Sequence, residues 1–417
     1  MNIAKASFLS LISTVVKMLS GLLINKVISV FIGASGLAVI GQLQNASGII
    51  QTLSSGGISN GVIKYTAENK DNDMVWSTSL IIILSFSVIA SIILFLFSGN
   101  LSVLFFNSIE YKFIFTLFGC TVIIFSLNQF ILNIISGLGE IKFYTVINII
   151  QSIYSLIFTI FLTYTYSLNG ALIAMVTNQA IVFFIVLYKL KDHNEIKLKR
   201  FFNGYDNKKA IKLFNYTLMT FISALSLPIA LILIRNYIGS NLSWDYAGYW
   251  QAINYISSMC FLIITTILTT YYLPKLSKLS NNNDIIKEVK KTAVFIIPIT
   301  IFGAISIYAC KSLIVSILFS HDFIVMIDLF KWQLVGDVIK VASCLLSYIL
   351  LAKTMTKIFI ITEIFSAITL TVLSMLCVNY YGFIGLSYAY ALSNSFYFII
   401  IAFVIIKYFF IRNKELV

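Results

Sequence analysis

The stretch of sequence that decides the fold is FLSLISTVVKMLSGLLINKVISVF, which runs from Phe8 to Phe31. This apolar run is long enough to cross a bilayer, which takes roughly 20 residues of helix. It nevertheless carries Lys17 and Lys26. A lysine near the middle of a membrane helix costs roughly 2.5–3.5 kcal/mol on insertion scales, and it normally faces a bundle interior or a wet cavity. We therefore predict that this helix holds positive charge inside the membrane for an anionic ligand.

The composition of the whole chain indicates a polytopic α-helical membrane protein. Of 417 residues, 59% are hydrophobic and 11% are charged, which is unlike any soluble domain of this size. Long continuous apolar runs exclude the short alternating strands of a membrane β-barrel. The net charge of +13 does not indicate nucleic-acid binding, because the basic residues lie mostly between apolar runs, as membrane topology requires.

The apolar runs predict about twelve transmembrane helices. The longest connection divides them six and six, which predicts an N-terminal six-helix bundle at 1–190, a basic cytoplasmic linker at 191–212 and a C-terminal six-helix bundle at 213–417. The predicted spans are 8–31, 37–63, 76–98, 113–136, 143–166, 170–188, 213–238, 246–274, 292–318, 330–352, 358–379 and 383–409.

Lysine and arginine residues predict the orientation of these spans. If the N-terminus is cytoplasmic, 22 of the 29 basic residues lie on the cytoplasmic side and three lie on the outer side, while four fall within spans. This bias follows the positive-inside rule. An even number of spans then places both termini in the cytoplasm.

The sequence contains no recognisable catalytic motif. We therefore predict no catalytic residue and a transporter instead of an enzyme. The five cysteines and two histidines have no metal-ligand spacing, and no glycine-rich phosphate loop is present. We expect no metal and no cofactor. Any driving force would then come from a proton gradient, another ion gradient or the gradient of the substrate itself.

Charges inside the predicted spans are the first candidates for a binding site. Lys17 and Lys26 lie nine residues apart, on opposite sides of an ideal helix. Lys26 lies near the predicted outer end, where reaching the interface is the alternative. Arg235 lies near the outer end of the seventh span, where an interfacial anchor is the alternative. Asp337 and Lys340 stand at i and i+3 on the tenth span. They form either a structural ion pair or a site in which the carboxylate couples transport to an ion.

Uncharged polar residues mark two further spans. Gln44 and Asn60 lie in the second span and Gln251 lies in the eighth, while the third and ninth spans are far poorer in such groups. We predict that these side chains line a polar path through the membrane.

Five stretches carry a family resemblance, and they follow one another along nearly the whole chain. Together they resemble the Wzx-type flippases of Gram-negative polysaccharide assembly, within the multidrug/oligosaccharidyl-lipid/polysaccharide exporter superfamily. The stretches are Ala4-Lys5-Ala6-Ser7 with Val16-Lys17 and Gly21-Leu22-Leu23, GISNGVIKY at 57–65, Trp250-Gln251, YLPKLS at 272–277 and WQLVGDVIK at 332–340.

The resemblance implies two six-helix bundles that form a V around a central cavity. It also implies a function, which is to move an undecaprenyl-diphosphate-linked oligosaccharide from the cytoplasmic to the periplasmic face of the bacterial inner membrane. Cavity cations would bind the diphosphate, and the matching positions here are Lys17, Lys26, Lys64 and Arg235. The O-antigen polymerase and the chain-length regulator are the protein partners that the resemblance implies.

Several alternatives stay open at the level of sequence. The resemblance extends to the flippase for lipid III of enterobacterial common antigen, although the richness in Ile, Phe, Asn, Lys and Tyr favours an O-antigen repeat unit. A small-molecule or ion antiporter of the same superfamily would favour acidic cavity residues, whereas the charges in these spans are mostly basic. A membrane polysaccharide polymerase would carry a large outer loop, and this sequence has none.

Overall fold

The computed structural model describes residues 3–68, 73–191, 195–214, 217–279, 281–353 and 355–414. All regular elements in these ranges are helices, which confirms the predicted all-α class. The predicted linker at 191–212 includes 192–194, and these three residues, Lys70 and the ends of the chain lie outside the described residues.

The number of membrane-spanning helices agrees with the prediction. In the described ranges, nine stretches are long and apolar enough to cross a membrane, and two of these, Ile141–Leu190 and Thr356–Lys407, each contain two helices. The helix Ala34–Ser54 is also long enough, but it contains three glutamines and an asparagine. Counting this polar helix gives the twelve predicted spans.

The chain divides into two compact units, Met1–Pro228 and Ile229–Val417. The first six predicted spans fall in the first unit and the last five in the second. The boundary lies at Pro228 in the helix of the seventh span, which continues through this proline. The domain limits at 190 and 213 stay a prediction.

In its described residues, the first unit contains eight α-helices and the first half of a ninth. Helix α1 packs along α7, and α6 packs against both α4 and α7. Their bounds are α1 Ile3–Phe31, α2 Ala34–Ser54, α3 Ser59–Glu68, α4 Asp73–Leu96, α5 Ser98–Phe106, α6 Lys112–Gly137, α7 Ile141–Leu190, α8 Asn207–Phe214 and α9 Thr217–Asn241.

The part of the second unit that the structure describes contains the rest of α9 and seven further α-helices. Helix α16 packs against α14 and α15, and α14 also contacts α10 and α12. The bounds are α10 Trp244–Ile267, which continues into a π-helical turn at Leu268–Tyr272, α11 Leu273–Lys278, α12 Asn282–Ala309, α13 Lys311–Leu318, α14 Phe330–Ala352, α15 Thr356–Tyr381 and α16 Gly385–Lys414.

Two local backbone features interrupt runs that are apolar in sequence. The second predicted span, 37–63, is divided between α2 and α3 because Gly56 and Gly57 adopt φ values of +60° and +66°. Helix α7 bends back on itself at Tyr166 and Ser167, where Ser167 has φ 49°. This break coincides with the predicted end of the fifth span at 166.

The described part of the basic connection packs on the first unit. Arg200 pairs with Asp73 at 2.5 Å and lies 4.3 Å from the centre of the Trp76 ring. Trp76 is fully buried, and its Nε1 donates to Thr66 Oγ1 at 3.0 Å. The connection therefore has a structural role beside α4, in addition to the topological role predicted from its charge.

Candidate functional site

The two lysines of α1 have different surroundings. Lys17 is exposed, and Lys26 is partly buried. At 100° per residue, Lys17 lies on the same helix face as Ile24 and Ile28, and Lys26 lies on the opposite face. The predicted separation of the two charges around the helix is therefore present.

Ile24 and Ile28 form part of the wall of a polar pocket within the first unit. The pocket has a volume of about 350 Å³ and is formed by α1, α2, α6 and the two halves of α7. Its polar lining consists of four amides, Gln44, Gln51, Asn178 and Gln179, and three hydroxyls, Ser47, Ser155 and Thr159. Among the described residues that line it, none is an Asp, Glu, Lys or Arg.

Hydrogen bonds hold part of this lining in place and leave other atoms open. Asn178 Nδ2 donates to Ser155 Oγ, which connects the two halves of α7. Asn128 Nδ2 donates to Gln179 Oε1 at 2.6 Å. Ser47 Oγ and Asn178 Oδ1 are buried and have no hydrogen-bond partner within the protein. The pocket can therefore accept further hydrogen bonds from a ligand or from water.

The predicted residues of α3 lie on the protein surface. Lys64 has a side-chain exposure of 46% and forms an i, i+4 ion pair with Glu68 at 3.7 Å. Asn60 donates to Thr220 Oγ1 at 3.3 Å. Exposed pairs of this kind contribute about 0.3–0.5 kcal/mol, so Lys64 can exchange Glu68 for an anionic ligand at little cost.

Arg235 and Gln251 lie together in the second unit. Arg235 is 1% exposed, and its Nη2 donates to Gln251 Oε1 at 2.5 Å. The guanidinium also lies 5.7 Å from the centre of the Trp250 ring. In this conformation the Arg235 side chain is enclosed by protein and not presented to a ligand.

Asp337 and Lys340 belong to a polar cluster formed by α10, α14 and α16. Asp337 accepts hydrogen bonds from Ser257 Oγ at 2.7 Å and from Tyr390 OH at 2.9 Å. Lys340 Nζ lies 4.5 Å from the centre of the Phe261 ring. Among the described residues, no ion pair within 4.0 Å joins Asp337 to Lys340. Hydroxyl groups, and not the lysine, hold the carboxylate.

A second carboxylate in this unit also binds a tyrosine of α16. Glu363 Oε1 accepts from Tyr397 OH at 2.7 Å. Tyr390 and Tyr397 are seven residues apart, on one face of α16. This spacing groups the two tyrosines but does not indicate their carboxylate partners, and neither residue was singled out from the sequence. Gln44, Ser47 and Gln51 likewise recur at helical spacing in α2, and only Gln44 was singled out.

The structure thus brings some of the predicted residues together. Gln44 lines the pocket, Lys17 lies on the pocket's face of α1, and Arg235 is bonded to Gln251. Within the described residues, no group of three His, Cys, Asp or Glu side chains has the geometry to bind a metal.

Many long apolar helices, with charged and amide side chains inside them, define a multi-pass membrane protein with a transporter fold. Its structure is similar to the inward-facing conformation of a multidrug resistance MATE family transporter of the MOP superfamily, with a TM-score of 0.76, 16% sequence identity and 92% of each chain covered. The outward-facing conformation of a transporter of that family gives a TM-score of 0.69, again at 16% identity, over 96% of this chain and 93% of the other.

The sequence places the chain within a family. The model of the family described as polysaccharide biosynthesis protein matches residues 3–280, and the chain belongs to this family. It is 29% identical over 403 residues to the lipid III flippase of Escherichia coli (strain K12), covering 95% of this chain and 97% of the relative. The lipid III flippase of Shigella flexneri matches with the same values. The resemblance found in the sequence is confirmed.

Proposed function

We propose that this protein is a flippase that moves an undecaprenyl-diphosphate-linked O-antigen repeat unit across the bacterial inner membrane, from the cytoplasmic to the periplasmic face, by alternating access. Similarity to lipid III flippases over nearly the whole chain supports the class of substrate. Both termini would be cytoplasmic. The O-antigen polymerase and the chain-length regulator would receive the transported unit.

The observation that carries the proposal is the exposed Lys17 within the first membrane span. A diphosphate does not cross hydrocarbon without a replacement for its hydration, and a fixed cation in a wet cavity supplies one. The lipid tail can remain in the bilayer while the headgroup moves. Lys26 and Lys64 add positive charge along the path. Arg235 would join them only in a conformation that releases it from Gln251.

A proton or another cation would drive the cycle through Asp337, with Lys340 as its neighbour. The carboxylate is held by two hydroxyls, which leaves it able to exchange partners when an ion binds. We expect Asp337→Asn to abolish the dependence of transport on the ion gradient while retaining binding of the lipid-linked substrate. Ion-gradient dependence that persists in proteoliposomes of this variant would exclude Asp337 as the coupling group.

Lipid III of enterobacterial common antigen is the second candidate substrate. The similarity of this chain to two lipid III flippases favours this substrate. It carries the same undecaprenyl diphosphate, so Lys17 would serve both substrates, and only the sugars differ.

Deletion of the gene tests the proposed function and separates these candidates. Loss of surface O-antigen, together with single repeat units on undecaprenyl diphosphate at the cytoplasmic face, supports the first proposal. Loss of common antigen alone supports the second. Single units that reach the surface without being polymerised would instead indicate a polymerase. If both polymers and both lipid pools are unchanged in a strain without a redundant flippase, neither flippase proposal holds.

Neutralising Lys17 tests the residue that carries the proposal. We expect Lys17→Gln to weaken binding of undecaprenyl diphosphate by about ten- to a hundredfold, since hydrogen bonds to charged groups contribute about 1.5–3 kcal/mol. Lys17→Arg should retain most of the affinity. Lys112→Gln, at the exposed start of α6, is the matched control. Loss of transport that is explained by loss of Lys17→Gln protein from the membrane would remove this support.

A further inference from the structure

We infer that the neutral pocket of the first unit binds the sugars of the transported lipid, separately from the cations that bind its diphosphate. This inference rests on the proposed function and names the part of the substrate that the pocket recognises. The pocket is the one formed by α1, α2, α6 and α7 and lined by Gln44, Ser47 and Asn178.

The chemistry of the lining matches sugar hydroxyls. An amide side chain offers two N–H donors and a carbonyl acceptor, and a serine or threonine hydroxyl both donates and accepts. A sugar hydroxyl also does both. The described lining has no cation for a phosphate and no carboxylate for a cationic drug. Phe125 adds an apolar surface for the C–H face of a sugar ring.

Two buried polar atoms of the pocket remain without a partner within the protein. Ser47 is 5% exposed and Asn178 is 9% exposed, and the Oγ of the first and the Oδ1 of the second make no hydrogen bond. Buried polar atoms are unfavourable unless they are satisfied, and unsatisfied ones in a folded protein call for an explanation such as a ligand. Sugar hydroxyls in the pocket would supply partners for these two atoms.

The size of the pocket suits part of an oligosaccharide. Its volume of about 350 Å³ lies at the lower end of the range of about 300–1,000 Å³ for small-molecule sites. The pocket would therefore select the sugars nearest the lipid and leave the remainder of the repeat unit outside.

The position of Lys17 suits the same arrangement. Ile24 lines the pocket, and Lys17 lies seven residues earlier on the same face of α1. At 1.5 Å per residue, the two positions are about 10 Å apart along the helix axis. A diphosphate beside Lys17 would then extend its first sugars along α1 into the pocket.

Binding measurements with two lipids test this inference in the full-length protein in nanodiscs. The probes are undecaprenyl diphosphate and undecaprenyl-diphosphate-linked N-acetylglucosamine. We expect Gln44→Leu and Ser47→Ala each to weaken binding of the sugar-bearing lipid by about three- to tenfold, the effect of one neutral hydrogen bond. Binding of the bare lipid should not change. Lys17→Gln should weaken binding of both lipids.

The choice of variants separates a binding role from a structural one. Ser47→Ala removes a buried hydroxyl that has no partner in the protein, so it should not lower stability. Asn45→Leu is the matched control for Gln44→Leu, because it changes the adjacent amide of α2, which does not line the pocket. We expect the control to bind both lipids as the unmodified protein does.

The possible outcomes distinguish this inference from the proposed function. If the unmodified protein binds both lipids and the two pocket variants bind them unchanged, or weaken both equally, the pocket is not the sugar site and the flippase proposal stands. If the unmodified protein binds neither lipid, the proposed function and this inference both fail.

Discussion

Arg235 places a charge in the interior of the second unit. Its hydrogen bond to Gln251 offsets part of the free energy that burying this charge costs. The hydrogen bond between them is worth about 1.5–3 kcal/mol, and leaving a buried charge with fewer partners costs more than removing both members of a pair. We expect Gln251→Met to lower the free energy of unfolding by about 1.5–3 kcal/mol. The double variant Arg235→Met/Gln251→Met should lose less than the sum of the two single variants.

Reversible unfolding in mixed micelles measures this coupling. Asn100→Met is the control, since Asn100 is an exposed amide of α5, and substitutions at such positions usually change stability by less than about 0.5 kcal/mol. Additive losses in the double variant would show that Gln251 does not stabilise the Arg235 charge.

At the scale of the elements, the Gly56–Gly57 break determines where α3 begins and hence where Asn60 and Lys64 lie. A Cβ on Gly57 would lie 2.9 Å from Phe221 Cε2, and φ there is +66°. The left-handed region costs a residue with a side chain about 1–2 kcal/mol. We expect Gly57→Ala to lower the free energy of unfolding by at least that amount, as measured by thermal unfolding in detergent.

A glycine in ordinary helical conformation provides the control for Gly57→Ala. Gly303 lies inside α12, and a Cβ there would have nothing within 4 Å. Gly303→Ala should be neutral or stabilise the protein by up to about 1 kcal/mol, because alanine is the better helix former. Equal effects of the two substitutions would mean that the break does not require glycine at 57.

The elements also show which features a sequence can predict. The tenth span was predicted at 330–352 and is found as α14 at Phe330–Ala352, because a long apolar run bounded by polar residues leaves little choice of structure in a membrane. The second span was predicted at 37–63 without a defined break, and it is divided between α2 and α3. Its division depends on positive φ at two glycines, and glycine also occurs in continuous helices, so local sequence does not settle it.

The residues of the candidate site also divide into those that the sequence predicts and those that it does not. The cost of placing Lys17 in a membrane made it visible in the sequence. The pocket was not visible, although Gln44 was singled out, because its other wall is formed by residues far apart in the chain. Ser155 and Asn178 meet only because α7 reverses direction at Ser167. A contact produced by such a turn depends on the packing of both halves, which periodicity alone does not specify.

For the molecule as a whole, the distribution of basic residues is the strongest indicator of how the chain is oriented in the membrane. The 22 basic residues assigned to one side and three to the other predict the direction in which every helix crosses. The proposed direction of transport depends on this assignment. Glu110, between α5 and α6, is predicted to lie outside, and Lys199, in the basic connection, is predicted to lie in the cytoplasm. Both residues are exposed.

Cysteine labelling checks this orientation in a variant from which the five native cysteines have been removed. In cells with a permeabilised outer membrane, we expect Glu110→Cys to react with a membrane-impermeant maleimide. Lys199→Cys should react only in inverted inner-membrane vesicles. Three crossings separate the two positions, namely α6 and the two halves of α7. Labelling from the same side would mean that one of these three helices does not cross the membrane, and reversed labelling would invert the proposed direction of transport.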